Sequence, residues 1–437
     1  MPKQQILYIG FMTFALFLGA GNIIFPPMLG HGAGEEFYQA LSGFLLTSVG
    51  MPVLTLIAIS WLGGSDAITA KLPRWAHLAF WSTLFLTIGP LFNMPRTFTV
   101  AYEFTGKPFF ADSGLLLATL IFAVLTLFFA LKPAQIMSRV GKLLTPTILL
   151  LILFTVCSVI AYPHGASGST AVKYQEFAFA AGLADGYMTM DVLGAIGFGW
   201  LVINVINQNS TGQVSLTKTM VRVTLVYGTV MCLVYIAMAW IGANYAGKVS
   251  NGGELLSDYM HWIYGTPGML CLGAIMALAC LTTAVGLTCA SASFFSENFK
   301  FIAYQPAAIT IVAVSTIIAN VGLDTLISIT LPLVVILHPI TICVVGLAVY
   351  FHQRQTNYQV WTATLCVSVI GGSIDAAKIV GLMPESLSEY FANHLPLYHY
   401  NASWILPTFG IFIASTLLDK QLRKRKAQQG LHSLTPS

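Results

Sequence analysis

Apolar residues run along the chain in blocks of about twenty, separated by short clusters of charge, glycine and proline. Strands of a membrane barrel alternate apolar and polar positions over about ten residues, so blocks such as 115–131 and 306–321 predict helices that cross a membrane. Cutting at the clusters predicts twelve spans: 5–28, 39–62, 76–101, 113–131, 143–162, 183–207, 219–243, 267–293, 304–321, 325–351, 358–382 and 403–418. The apolar stretch after Lys3 lacks a small-residue cleavage site and is read as the first span, not a removable signal. The longest stretch between spans, 163–182, is only loop-sized. Any function must therefore be built inside the membrane.

Composition agrees: 56% of the 437 residues are hydrophobic and 8% charged, against roughly 25% charged in soluble domains. A net charge of +4 spread along the chain gives no basic stripe for nucleic acid. The charges do divide between the two sides of the span map. Lys3, Lys71, Arg74, Lys132, Arg139, Lys142, Lys218, Arg222, Lys300, Arg354, Lys420, Arg423, Lys424, Arg425 and Lys426 fall on one side; Lys107, Lys173, Lys248 and Lys378 fall on the other, with acids such as Asp112, Asp185 and Asp324. Positive residues stay in the cytoplasm, which predicts a multi-pass inner-membrane protein with both termini inside and residues 419–437 as a basic tail. The seven cysteines sit in apolar runs without a CxxC pair and read as packing residues. No metalloprotease or serine-hydrolase motif occurs, and His338, before Pro339, reads as a structural histidine, so no enzyme is expected.

Lipid offers no partner to a free backbone group, so a helix is broken only where it lines a cavity or binds something. The first span contains Gly19-Ala-Gly-Asn22 and then Pro26-Pro27; the sixth contains Gly186-Tyr-Met-Thr-Met-Asp191 and further glycines. Small residues alone would suit close helix packing, but packing needs neither the amide nor the prolines. Spans one and six each open a set of five, and five is odd, so the second set enters from the opposite side. That is an inverted repeat with paired broken helices. In the eighth span, Ala279-Cys-Leu-Thr-Thr283 puts adjacent hydroxyls on an apolar helix. A lone Thr there usually bonds its own backbone, whereas two beside a free carbonyl suit a hard cation such as Na⁺.

Those segments, with Gly89-Pro-Leu-Phe-Asn-Met-Pro-Arg-Thr97, resemble the bacterial branched-chain amino acid carriers over essentially the whole chain. More distantly the chain looks like the sodium-coupled leucine-transporter fold. The resemblance implies an all-α polytopic protein with a ten-helix core at 1–351, in repeats of about 5–162 and 183–351, and two peripheral helices at 352–418. It implies Na⁺-driven import of L-leucine, L-isoleucine and L-valine by alternating access. Ala20 and Gly21 would hold the substrate carboxylate, with Asn22 beside them on a sodium ion, Met188 as a pocket wall and Thr189 on the first sodium. The second sodium would take Ala279, Thr282 and Thr283, with the carbonyls of Ala15 and Leu18. Asp191 departs from the fold's usual small polar residue; it can bind the ammonium or a cation, or cap the second half-helix. A proton-coupled symporter using Asp191 is the alternative, and a channel a third class. Oligomeric state is unreadable.

Ionisable groups at membrane depth are expensive and need a reason. Arg96 reads either as a gate or substrate contact or as a structural residue, paired with Glu103 or at a polar helix end. Asp375 and Lys378, three apart in the eleventh span, read as an internal ion pair.

Overall fold

The computed structural model describes residues 1–107, 114–132, 145–162, 164–165, 170–210, 215–249, 251–354 and 358–432. Asp112, Arg139 and Lys142, and the side chains of Asp324, Lys424, Arg425 and Lys426, lie outside the described residues. Among the described residues all regular structure is helical. The main helices are α1 (Lys3–Phe17), α2 (Ala20–Ala33), α3 (Phe37–Leu45), α4 (Met51–Leu62), α5 (Arg74–Leu86), α6 (Asn93–Thr105), α7 (Leu115–Ala130), α8 (Thr145–Ala161) and α9 (Ala178–Tyr187). They continue as α10 (Asp191–Asn209), α11 (Leu216–Ala243), α12 (Gly252–Tyr264), α13 (Thr266–Asn298), α14 (Tyr304–Ala319), α15 (Leu323–Tyr350), α16 (Tyr358–Ile379), α17 (Glu385–His394) and α18 (Ile405–His432). Among the described residues each predicted apolar run falls mainly on helix, because in lipid a helix is the element that pairs its own backbone. Among the described residues seven helical segments are long and apolar enough to cross a membrane, and α7, α8 and α14 are shorter apolar helices.

The chain divides into two compact units, Met1–Ser65 with Ala79–Ile329, and Asp66–Leu78 with Thr330–Ser437. In the first unit the apolar effect cannot sort helices that sit among apolar lipid, so contact shape does. Small residues let backbones touch: Gly30 of α2 lies against the Ala239 carbonyl of α11, and Gly242 of α11 against the Pro27 carbonyl of α2. The same reciprocal contact joins α3 and α9, through Gly43 on the Phe179 carbonyl and Gly182 on the Ala40 carbonyl. Between α5 and α6 the chain passes through a π-helical turn, Thr87–Leu91, where Gly89 leaves helical geometry (φ −88°, ψ −116°) and Pro90 follows. This kink places Arg96 in the first turn of α6.

In the second unit α16 packs along α18. The expected Asp375–Lys378 pair does not form. The Asp375 carboxylate accepts from the Ser403 N–H at 3.1 Å and from its hydroxyl at 2.7 Å. Lys378 Nζ instead donates to the carbonyls of Tyr398 at 2.7 Å and His399 at 3.3 Å. The turn before α18 brings backbone donors and acceptors within reach of both side chains, and these take the place of the pair. His338 is buried and bonds the Val334 carbonyl at 2.9 Å through Nδ1, as a structural histidine would.

Candidate functional site

The first predicted break is real. The last helical bond of α1 runs from Leu18 N–H to the Phe14 carbonyl at 2.8 Å; Leu18 (ψ 82°) and extended Gly19 (ψ −168°) then separate α1 from α2. Asn22 caps the new helix: its Oδ1 accepts the Gly19 N–H at 3.2 Å. The N–H groups of Ala20 and Gly21, in the first turn of α2, have no intrahelical acceptor.

The second break also lies where the sequence puts it, at Met188–Thr189–Met190 between α9 and α10. Met190 is left-handed (φ 62°), a conformation that costs on the order of 1–2 kcal/mol for a residue with a side chain. Thr189 Oγ1 donates to the Gly186 carbonyl at 2.8 Å, closing the end of α9. Asp191 is therefore the first residue of α10 rather than its cap.

The two breaks meet at that carboxylate. The Asn22 amide nitrogen donates to both oxygens of Asp191, at 2.7 and 2.8 Å. The Tyr235 hydroxyl of α11 donates to Asp191 Oδ2 at 2.6 Å and also meets the Asn22 amide. Asp191 is 4% exposed and Asn22 2%. A buried carboxylate is tolerable when its oxygens are occupied by good donors, and here the donors come from the other broken helix and from α11. Thr189 stands within hydrogen-bonding reach of the same carboxylate.

Arg96 does not pair with Glu103, which is engaged by Lys107 at 2.8 Å, one turn along the exposed end of α6. The Arg96 side chain instead crosses to the first break. Its Nη2 occupies the space a β-carbon on Gly21 would need, and its guanidinium carbon lies 5.9 Å from the centre of the Phe25 ring.

A second cluster forms where α13 crosses α1. In an unbroken helix Ala15 and Leu16 would have their carbonyls bonded by the N–H groups of residues 19 and 20. The break removes both donors, and threonines replace them. Thr282 Oγ1 donates to the Ala15 carbonyl at 2.6 Å and approaches the Ala279 carbonyl at 2.9 Å; Thr283 Oγ1 donates to the Leu16 carbonyl at 3.0 Å. Gly19 packs directly on the Thr283 side chain. Ala15, Ala279, Thr282 and Thr283 thus lie together, and Leu18 sits one residue before the Gly19–Thr283 contact. The sequence reading missed Leu16 and Tyr235. Nothing in residue type shows which carbonyl of a broken helix is freed, but a tyrosine within an apolar span needs a partner for its hydroxyl.

An all-helical chain of membrane character, with two broken helices joined at a buried polar cluster and a threonine pair on the freed carbonyls beside it, has the architecture of a helical membrane transporter. Its fold is similar to that of Mhp1, a nucleobase-cation-symport-1 family transporter in a closed conformation with bromovinylhydantoin bound, at a TM-score of 0.56 and 14% identity over 92% of this chain and 96% of that one. The family follows from sequence. Residues 2–422 match the model of the branched-chain amino acid transport proteins, and the chain belongs to that family. It is 37% identical to the branched-chain amino acid transport system 2 carrier protein of Pseudomonas aeruginosa, over 96% of this chain and 97% of that one. It is 36% identical to the branched-chain amino acid permease BraB of Bacillus subtilis, over 93% and 94%, and 33% identical to the permease BrnQ of Escherichia coli K12, over 96% and 97%.

Proposed function

We propose that the chain is a sodium-coupled symporter that imports leucine, isoleucine and valine across the bacterial inner membrane by alternating access. The observation that carries the coupling is the oxygen cluster at the first break: two hydroxyls, Thr282 and Thr283, on carbonyls that the break has freed. Na⁺ is a hard cation that favours such neutral oxygens. When the ion enters as cargo, the hydroxyl protons turn away and Ala15, Leu16 or Leu18, Ala279, Thr282 and Thr283 present lone pairs to it. Asn22 and Thr189 are the proposed ligands of the other ion. The substrate set is Ala20, Gly21, Asn22, Met188, Thr189 and Asp191, around the half-helix ends whose free N–H groups and dipoles suit a carboxylate.

In this reading the twelve apolar runs are twelve spans, ten of them a five-plus-five inverted repeat, with both termini cytoplasmic. One charge crossing 100 mV contributes ~2.3 kcal/mol and a tenfold ion gradient ~1.4 kcal/mol. One ion per cycle can therefore hold at most ~500-fold accumulation of a zwitterion. An apolar pocket separates homologous aliphatic chains by only about 1–3 kcal/mol per methylene, so the three substrates compete.

A second reading, proton coupling, is favoured by one observation: a buried Asp191 whose described hydrogen-bond partners are all neutral. Proteoliposomes decide between them, with labelled leucine uptake measured under an inward Na⁺ gradient, an inward H⁺ gradient or neither. Accumulation with Na⁺ alone, abolished by Thr282→Ala with Thr283→Ala, is the expected result. Accumulation with H⁺ alone, lost in Asp191→Asn, overturns the sodium assignment.

A further inference from the structure

We propose that Arg96 is the anchor for the substrate α-carboxylate, and that Arg96 and Asp191 together read the two charges of a free amino acid. The inference rests on the transport reading above and deepens it. Arg96 is 8% exposed. Among the described residues its guanidinium has no carboxylate within ion-pair distance and no hydrogen bond; it lies against Gly21 and beside the Phe25 ring. Guanidinium does not lose its proton in proteins and carries five donors, so a buried one without an anion is an unmet demand.

Its placement says which anion. Nη2 lies over Gly21, whose N–H, in the first turn of α2, has no intrahelical acceptor. The next residue, Asn22, holds Asp191. A positive and a negative group thus stand beside neighbouring residues of the first turn of α2. Arg96 and Asp191 are near enough to interact electrostatically yet are not an ion pair. The ammonium and carboxylate of an α-amino acid are separated by a single carbon, so a zwitterion lying across the first turn of α2 offers its carboxylate to Arg96 and the Gly21 N–H and its ammonium to Asp191. Glycine at 21 is what admits the guanidinium: a β-carbon there would also stand 3.3 Å from the Phe25 ring. A peptide, an amine or a fatty acid carries only one of the two charges at that spacing.

The test compares L-leucine with L-leucinamide, which keeps the side chain and the amine but not the carboxylate, as competitors of labelled leucine in proteoliposomes. For the wild type, leucinamide is expected to bind roughly 10- to 100-fold more weakly, the range of a charge-assisted hydrogen bond. In Arg96→Gln that ratio collapses toward one, because leucine loses affinity and leucinamide does not; Arg96→Lys keeps part of it. Gly21→Ala, whose β-carbon claims the space of the guanidinium, moves the ratio the same way. Equal weakening of both ligands in Arg96→Gln gives Arg96 a structural role and overturns the inference. So does a wild-type ratio near one, a result independent of whether any variant folds. Replacing chloride by gluconate separates a free anion from the substrate carboxylate: loss of wild-type uptake in gluconate assigns the guanidinium to chloride and overturns the inference. A wild type that takes up no branched-chain amino acid at all is a failure of the transport reading instead.

Discussion

Asn22 does two separable things, and an alanine there removes both. Its oxygen caps α2 by accepting the Gly19 N–H at 3.2 Å, and its amide nitrogen holds Asp191 at 2.7 and 2.8 Å. Losing a cap costs about 1 kcal/mol. Losing a donor to a buried charged group costs about 1.5–3 kcal/mol. Asn22→Ala should therefore destabilise the protein by about 2.5–4 kcal/mol, the two contributions taken together. In an Asp191→Ala background the second contribution is already gone, and only the cap of about 1 kcal/mol remains. Thermal unfolding of the detergent-solubilised protein, followed by fluorescence-detected size exclusion without ligand, measures this. The drop in midpoint caused by Asn22→Ala should be about three times larger in the wild-type background than in Asp191→Ala. Equal drops would mean that Asn22 acts as a cap alone and that the two breaks are not energetically joined through it.

Other expectations are shorter. Thr282→Ser, which keeps the hydroxyl, should retain Na⁺-dependent uptake, whereas Thr282→Ala leaves the buried Ala15 carbonyl without its donor and should cost about 1–3 kcal/mol of stability, read by the same thermal assay. Gly182→Ala would drive a methyl group into the Ala40 carbonyl; because backbone cannot swing aside, a loss of about 1–3 kcal/mol and lower yield of folded protein are expected. Asp375→Asn and Lys378→Met should each lower the thermal midpoint, since each side chain holds different atoms of the 398–403 turn; an unchanged midpoint in both would mean that other contacts hold that turn. Burial, reinforced by Asp185, pushes the Tyr174 hydroxyl upward in pKa, so it stays a donor to Asp185 Oδ2 at 2.5 Å through the alkaline range. Its raised pKa makes any loss of that contact a high-pH event, so the stability lost in Tyr174→Phe should be the same at pH 7 as at pH 9.

Both breaks and the threonine pair were legible because each requires residue types that a continuous apolar helix does not: glycine beside an amide, a carboxylate after glycines, hydroxyls side by side. The partners of those residues were not legible. Tyr235 reaches Asp191 only because of how α11 is rotated against α2, and that rotation is set by backbone contacts at Gly30 and Gly242 rather than by a pattern of polar positions. Arg96 was ambiguous for a related reason. On α6 alone Glu103 is a reasonable partner, and it takes the kink at Gly89 and the missing side chain of Gly21 to explain why the guanidinium goes elsewhere. The Asp375–Lys378 expectation failed because proximity along one helix ignores a long lysine stem that can reach carbonyls of a neighbouring turn.

The reciprocal glycine contacts have a mechanical meaning. Where α2 meets α11, and where α3 meets α9, carbonyl oxygens rest in the hollows left by absent side chains, so that at those points backbone meets backbone with no side chain between. Such seams act like dovetail joints: they can be carried along or pulled apart, but they do not slide. Any rearrangement of this unit must therefore move α2 with α11 and α3 with α9 as paired struts. The flexure is left to the two short unwound links at 18–19 and 188–190, one at each end of the Asn22–Asp191 strap.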